Sequence, residues 1–287
     1  MKRVTLKIND PSGSTKGRTG FLYASFFFLF VFIYLIVRSF FTKWVQLPNL
    51  PGGTYGKMIP PALFAFFYLT FMRGWKSTVF LLFFLWIYCW AVEELSIHTG
   101  FPFGNYYYSD ALGYKLDVVP ITLGINYFWL LVFPAFFVSN LIAQGSFLEQ
   151  GNSLGKWLFT SLIAAILISG IDMVVDPLDA TRMSEWVWTK NSYTAYYGIP
   201  YMNYLGYIIV MTPAFFIYGM VERKVRAKPQ GSVSITIASV PLIFYFLIFI
   251  LYAGPSPSGV LLVACFTMVF PLILATDKLL KYFSFKD

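Results

Sequence analysis

Eight stretches of the chain are apolar over most of the length a bilayer demands, and charged residues fall almost wholly between them. A spanning helix needs about 20 mainly apolar residues, with some tolerance for tilt. The runs are 21–41, 58–72, 77–94, 121–142, 156–176, 203–221, 233–253 and 257–276. They predict an all-α, polytopic transmembrane helix bundle of about eight (7–8) spans. The second run is short and opens with Pro60 and Pro61, which predicts a tilted helix or one buried among its neighbours. The last two runs are separated only by the turn Gly254-Pro255-Ser256, so the split between them is the one that leaves the count open. The first run follows a basic segment but is too long for a signal h-region and has no small-residue cleavage site, so a retained helix is expected. The chain thus divides into a basic N-terminal segment (1–20), a single helical domain (21–276) and a short tail (277–287).

Lysines and arginines set the orientation of such a bundle. With the N-terminus in the cytoplasm, 15 of them fall on the inner side and 6 on the outer. A multi-pass protein of the cytoplasmic membrane with both ends inside is therefore expected. The net charge of +8 has the same source, so the basic balance does not point to nucleic acid. The acids run the other way. Glu93, Glu94, Asp110, Asp117, Asp172, Asp176, Asp179 and Glu185, 8 of the 13, lie towards the outer face, as do the two longest connections, 95–120 and 177–202. The bundle is expected to carry its chemistry at that outer end.

Composition narrows the chemistry further. Apolar residues make up 58% of the 287 and charged residues 12%, about half the share usual in a soluble globule. Aromatic residues reach 21%, more than interfacial anchoring requires, so a bundle lined internally with rings is expected. Cys89 and Cys265 both lie in apolar runs, which argues against a disulfide framework or a thiolate metal site. One histidine, His98, cannot build a multi-histidine di-iron centre. No glycine-rich dinucleotide fingerprint follows a strand. The expected cofactor and metal complement is none: the chemistry falls to side chains and water.

Two acidic constellations could carry it. In GIDMVVDPLDA (170–180), Asp172 and Asp176 are four apart, hence one turn from each other on one helix face. Pro177 disfavours helical geometry at the residue before it, so the helix is expected to end at Asp176 and Asp179 to begin a loop. A carboxylate one turn below the membrane boundary is costly and normally faces a bundle interior or a wet cavity. The plainer alternative is an acid satisfied by hydroxyls or by an outer-loop arginine such as Arg182. In WAVEELSIHTG (90–100), Glu93 and Glu94 are adjacent, so about 100° of helix separates them and only one can point inward. Glu94 is the expected inward member. It stands four residues before His98, which could pair with it if the helix continues to Gly100. A helix end with solvated acids and an interfacial tryptophan belt, Trp86 and Trp90, is the plain reading there.

Rings cluster beside both acidic pairs. FPFGNYYYSD (101–110) reads as a loop carrying Tyr106 and Tyr108, and WVWTKNSYTAYYGIPYMNYLGY (186–207) adds Trp186, Trp188 and Tyr197, with Asn203 among them. A ring face can stabilise a passing cation by ~2 kcal/mol or more when desolvated. Acids walled by rings suit protonation of an alkene and shelter of the carbocation that results.

The stretches EELSIHTGFPFGNYYYSDALGYKLDVVPITLGINYFW (93–129), GIDMVVDP (170–177) and WVWTKNSYTAYYGIPYMNYLGY resemble the signatures of the carotenoid-biosynthesis membrane protein family that includes the carotenoid hydratases. The resemblance covers about 86–210, and the flanks match only as hydrophobic spans. Tyr207 departs from it, standing where tryptophan is expected after Asn203 and Gly206. The resemblance implies a γ-carotene 1′-hydratase or bisanhydrobacterioruberin hydratase type of activity: water added across the terminal double bond of an acyclic carotenoid end. It also implies a lipid-soluble carotenoid substrate in contact with membrane lipids, and other enzymes of the pathway as candidate partners. Asp172, Glu94, Glu93, Asp176 and Asp179 are the candidate catalytic acids. Trp90, Tyr106, Tyr108, Trp129, Trp186, Trp188, Tyr197 and Asn203 are the candidate substrate-binding groups, with His98 in support. Rival readings are a lycopene-type cyclase, which shares the protonation step, a Mg²⁺-dependent membrane prenyltransferase, and a proton-coupled transporter.

Overall fold

Every apolar run becomes a helix, and most of the helices run past at least one end of their run. In the computed structural model they are α1 (Thr15–Phe41), α2 (Gly53–Arg73), α3 (Trp75–Thr99), α4 (Leu123–Gln144), α5 (Leu154–Asp179), α6 (Tyr201–Val225), α7 (Ile235–Ala253) and α8 (Ser258–Ser284). The structure describes residues 15–42, 53–145, 153–180, 183–189, 194–225 and 233–284; most of the basic N-terminal segment, Arg182 and the last three residues lie outside it. Seven of the described helices are long and apolar enough to cross a membrane, α2 being the exception. The chain is an all-α, multi-pass integral membrane bundle, as its patterning predicts.

The proline-bearing helix α2 is buried among its neighbours. Phe64 meets Phe133 of α4 at 5.5 Å and Phe244 of α7 at 4.6 Å between ring centroids, and Tyr68 meets Phe133 and Phe137 at 6.0 and 5.6 Å. Edge-to-face and tilted pairs of this kind add to the burial of apolar area, and they form the middle layer of the bundle. One end is closed by a buried ion pair, Arg73 to Glu222 at 3.2 Å, with Arg18 Nε donating to the Phe71 carbonyl nearby. The other end holds the acids and the two long connections.

At that second end the expectation for Pro177 is overturned. Helix α5 runs through the proline to Asp179, and the Ala180 N–H donates to the Asp176 carbonyl at 2.9 Å. Proline removes one helical donor, but inside a bundle neighbouring helices satisfy what it frees, so its local preference loses. Asp172, Asp176 and Asp179, spaced four and three apart, therefore lie along one face of a single helix, and all three are buried. Helix α3 continues past its apolar run to Thr99 and is capped by Gly100 in the left-handed conformation (φ 77°), a geometry that favours glycine.

The long connections are not plain loops. Tyr106–Tyr108 (β1) pairs antiparallel with Trp186–Trp188 (β4), in the register Tyr106 to Trp188, Tyr107 to Val187 and Tyr108 to Trp186. Two smaller hairpins flank this ribbon, Lys115–Leu116 (β2) with Val119–Pro120 (β3) and Thr194–Tyr196 (β5) with Ile199–Pro200 (β6). Strand alternation turns Tyr106 and Tyr108 inward and Tyr107 outward. The ribbon thereby roofs the acid-bearing end with rings.

Gly206 fixes how closely α6 approaches the segment under that roof. A Cβ there would stand 2.7 Å from a Phe103 ring carbon and 2.8 Å from the Pro102 carbonyl oxygen. Gly206→Ala is expected to destabilise the protein by about 1–3 kcal/mol through overpacking. A melting curve in detergent checks this, and a midpoint equal to wild type would show that the segment yields freely.

Candidate active site

Glu93 projects from the last turns of α3 and is almost fully buried, at 3% exposure. Three phenols surround it. The Tyr106 and Tyr108 hydroxyls donate to its Oε2, Tyr108 at 2.9 Å, and the Tyr127 hydroxyl donates to Oε1. Tyr106 and Tyr108 arrive from β1, while Tyr127 opens a π-helical turn, Tyr127–Val132, within α4. Such a turn holds one residue more than an α turn and recurs at functional sites. Burial, and then the neighbouring Glu93 carboxylate, push both β1 phenols well above the ordinary tyrosine range, so each keeps its proton and serves as a donor.

A second acidic group faces the same space from α5. Asn203 Nδ2, in the first turn of α6, donates to Asp172 Oδ2 at 2.7 Å and to Asp176 Oδ2 at 2.8 Å. One amide thus bridges the two carboxyl groups, which stand side by side. Asp179, one turn further on, stands beside Tyr252 of α7 on the same wall. Glu185, just before β4, is raised above the usual glutamate range by burial and eased by Lys57.

Both groups line one cavity of about 1210 Å³, larger than the ~300–1,000 Å³ of pockets for drug-sized ligands. Its polar end is bounded by Glu93, Asp172, Asp176, Asp179 and Asn203. Rings wall it: Tyr106 against Trp188 at 4.9 Å, Tyr108 against Trp186 at 6.3 Å, and Tyr207 against Phe103 at 4.9 Å. An apolar arm is lined by α1, α2, α4 and α7 through Phe32, Ile36, Met58, Trp129 and Leu251, with exposed Ser39, Thr42 and Lys57 also on the cavity's lining.

Of the residues singled out from the sequence, Glu93, Asp172, Asp176, Asp179, Tyr106, Tyr108, Trp129, Trp186, Trp188 and Asn203 are brought together on this wall. Four are not. Glu94, expected to point inward, turns out instead: its Oε1 accepts the Val118 N–H at 3.2 Å and its Oε2 lies 3.4 Å from His98, which is 59% exposed. Helix α3 is apolar on all sides, so its sequence gave no phase, and packing turned Glu93 inward. Trp90 donates to the Leu116 carbonyl at 3.3 Å, away from the cavity. Tyr197 is exposed at a turn with φ 50°. Glu94, His98 and Asp117 bring their donor atoms within 4.8 Å of one another, the group among the described residues that could hold a metal ion, and none of them lines the cavity.

Sequence reasoning missed Tyr127 as a partner of Glu93. It marked Tyr207 only as a departure, yet Tyr207 lies 3.0 Å from the Tyr127 hydroxyl. No spacing rule singles out one tyrosine of 20, although both lie in the stretches that carry the resemblance.

Comparison with known proteins adds two findings. The model of a family described as carotenoid biosynthesis protein matches residues 55–274. A bisanhydrobacterioruberin hydratase of Haloarcula japonica is 26% identical over 135 residues, which is 47% of this chain and 42% of that protein, so the chain spans less than half the length of this relative. No solved structure matches the chain.

Proposed function

The chain belongs to the carotenoid biosynthesis protein family, and from that premise we propose that it is a hydratase, adding water across the terminal double bond of an acyclic carotenoid end group. One observation carries the reading: two buried acid groups, an aspartate pair bridged by Asn203 and a glutamate ringed by phenol donors, line one cavity whose other walls are largely apolar. The distant hydratase relative points the same way.

The chemistry follows from the positions. An apolar polyene lies in the arm between α1, α2 and α7, with its end group beneath the ribbon of rings. The Asp172–Asp176 pair gives its proton to the less substituted alkene carbon, so the O–H bond breaks as the C–H bond forms. The cation develops on the more substituted carbon, where the tyrosine and tryptophan faces stabilise it. Water adds to that carbon, and Glu93 accepts the proton it sheds, acting as general base. Each event is an acid–base step at a carboxyl group of this chain. The orientation we propose is N-terminus inside, in the cytoplasmic membrane, because 15 of the lysines and arginines then lie on the cytoplasmic side. The acid-bearing end then faces outward, and other enzymes of the pathway would pass the carotenoid to it through the bilayer.

The source of the oxygen tests the reading. Membranes containing the protein, incubated without O₂ in water enriched in the heavy oxygen isotope, are expected to convert such a carotenoid at full yield into a labelled tertiary alcohol. Product formed only when O₂ is admitted would defeat the proposal. An unlabelled, ring-closed product would mean that an internal alkene, not water, captures the cation, and the protein would be a cyclase.

A further inference from the structure

Between the two acid groups runs a row of hydroxyls that the chemistry above leaves unused. The Tyr127 hydroxyl is within donating distance of both Glu93 Oε1 and the Tyr207 hydroxyl, the latter at 3.0 Å. Tyr207 in turn stands beside Asp172 on the same cavity wall. All four side chains are buried. Two hydrogen bonds and this facing pair, three links in all, therefore join Glu93 to Asp172 through two phenols.

Counting protons constrains this row. Each hydroxyl brings one proton, and an ionised carboxylate brings none. With both end acids ionised, two protons cannot fill three links, and one oxygen pair would face each other bare in a site where unmet polar groups are costly. With one end acid protonated, three protons fill three links. That filling exists in two forms: Asp172 donating to Tyr207, Tyr207 to Tyr127 and Tyr127 to Glu93, or all three donations reversed. A concerted shift of three protons converts one form into the other without moving a heavy atom far.

We infer that Tyr127 and Tyr207 are a proton relay that resets the enzyme, carrying to Asp172 the proton that Glu93 takes from water. The inference rests on the hydratase reading, which needs such a return. Each turnover takes a proton from the Asp172–Asp176 pair into the new C–H bond and leaves a proton from water on Glu93. Product release therefore leaves the wrong acid protonated. The relay closes the cycle: the Glu93 O–H bond breaks, an O–H bond forms on Asp172, and each phenol gives one proton and receives one. The net reaction is alkene plus water to alcohol, with the protein unchanged.

Tyr127→Phe, Tyr207→Phe and the double variant test this, since phenylalanine keeps the ring packing and deletes only the hydroxyl. Product is followed in membranes through the first turnover and into the steady state. Each single variant is expected to form about one product per enzyme rapidly and then to run about 10²-fold slower, the scale of a lost positioned proton transfer. The double variant is expected to be no slower than the slower single variant, because one row cannot be broken twice. A first turnover slowed as much as later ones, losses that multiply in the double variant, or a Tyr207→Phe steady state equal to wild type would each overturn the relay. If Tyr207→Phe does not fold, Tyr127→Phe reads the same row from its other half. A wild-type protein that forms no hydrated carotenoid defeats the hydratase reading, whereas hydration with any of those three outcomes defeats the relay alone.

Discussion

Asp172→Asn is expected to abolish hydrated product, lowering the rate by about 10²–10⁴-fold, the range for loss of a positioned general acid. The substitution removes little else. The new side chain has the same shape, and its amide oxygen can still accept from Asn203 Nδ2, which now donates to Asp172 at 2.7 Å. It has no acidic proton to give. The protein should therefore remain in the membrane at its usual level while its product disappears. The check is pigment extraction from cells that supply an acyclic-ended carotenoid, with membrane protein quantified in parallel. Full conversion by the variant would remove Asp172 from the mechanism.

Glu93→Gln is expected to cost as much, about 10²-fold or more, while Glu94→Gln keeps most of the activity. Glu93 is the buried member, held by Tyr106, Tyr108 and Tyr127. A glutamine there cannot take a proton from water, and its amide N–H₂ would face at least one phenol that now donates. Glu94 stands at the rim between Val118 and His98, where an amide oxygen can accept the same N–H. The two variants differ by one position in the chain and by about 100° of helix. The same pigment assay separates them, and a Glu94→Gln loss exceeding that of Glu93→Gln would reverse the assignment.

How much of this was legible depended on whether a feature is local. The helices were, because the length of an apolar run is a property of one segment. The shared face of Asp172 and Asp176 was, because spacing alone sets it. Which glutamate points inward was not: it depends on what packs against α3, and a helix apolar all round carries no phase in its sequence. The proline rule at Pro177 failed because the bundle outweighed a local backbone preference. The pairing of β1 with β4 joins residues about eighty positions apart, and nothing in YYY or WVW names its partner. Trp90 and Tyr197 were placed at the site by residue type alone. Both proved to serve the surface nearby.

The ribbon of β1 and β4 has a consequence for how substrate preference could be inherited. The roof over the end group is one object assembled from two separate stretches of chain, each useless as a strand without the other. Replacing either stretch with that of a relative would match new rings to an old register and leave the roof ajar. Preference for one end group over another is therefore a trait of the pair. It can be transplanted, or can drift, only when both halves change together.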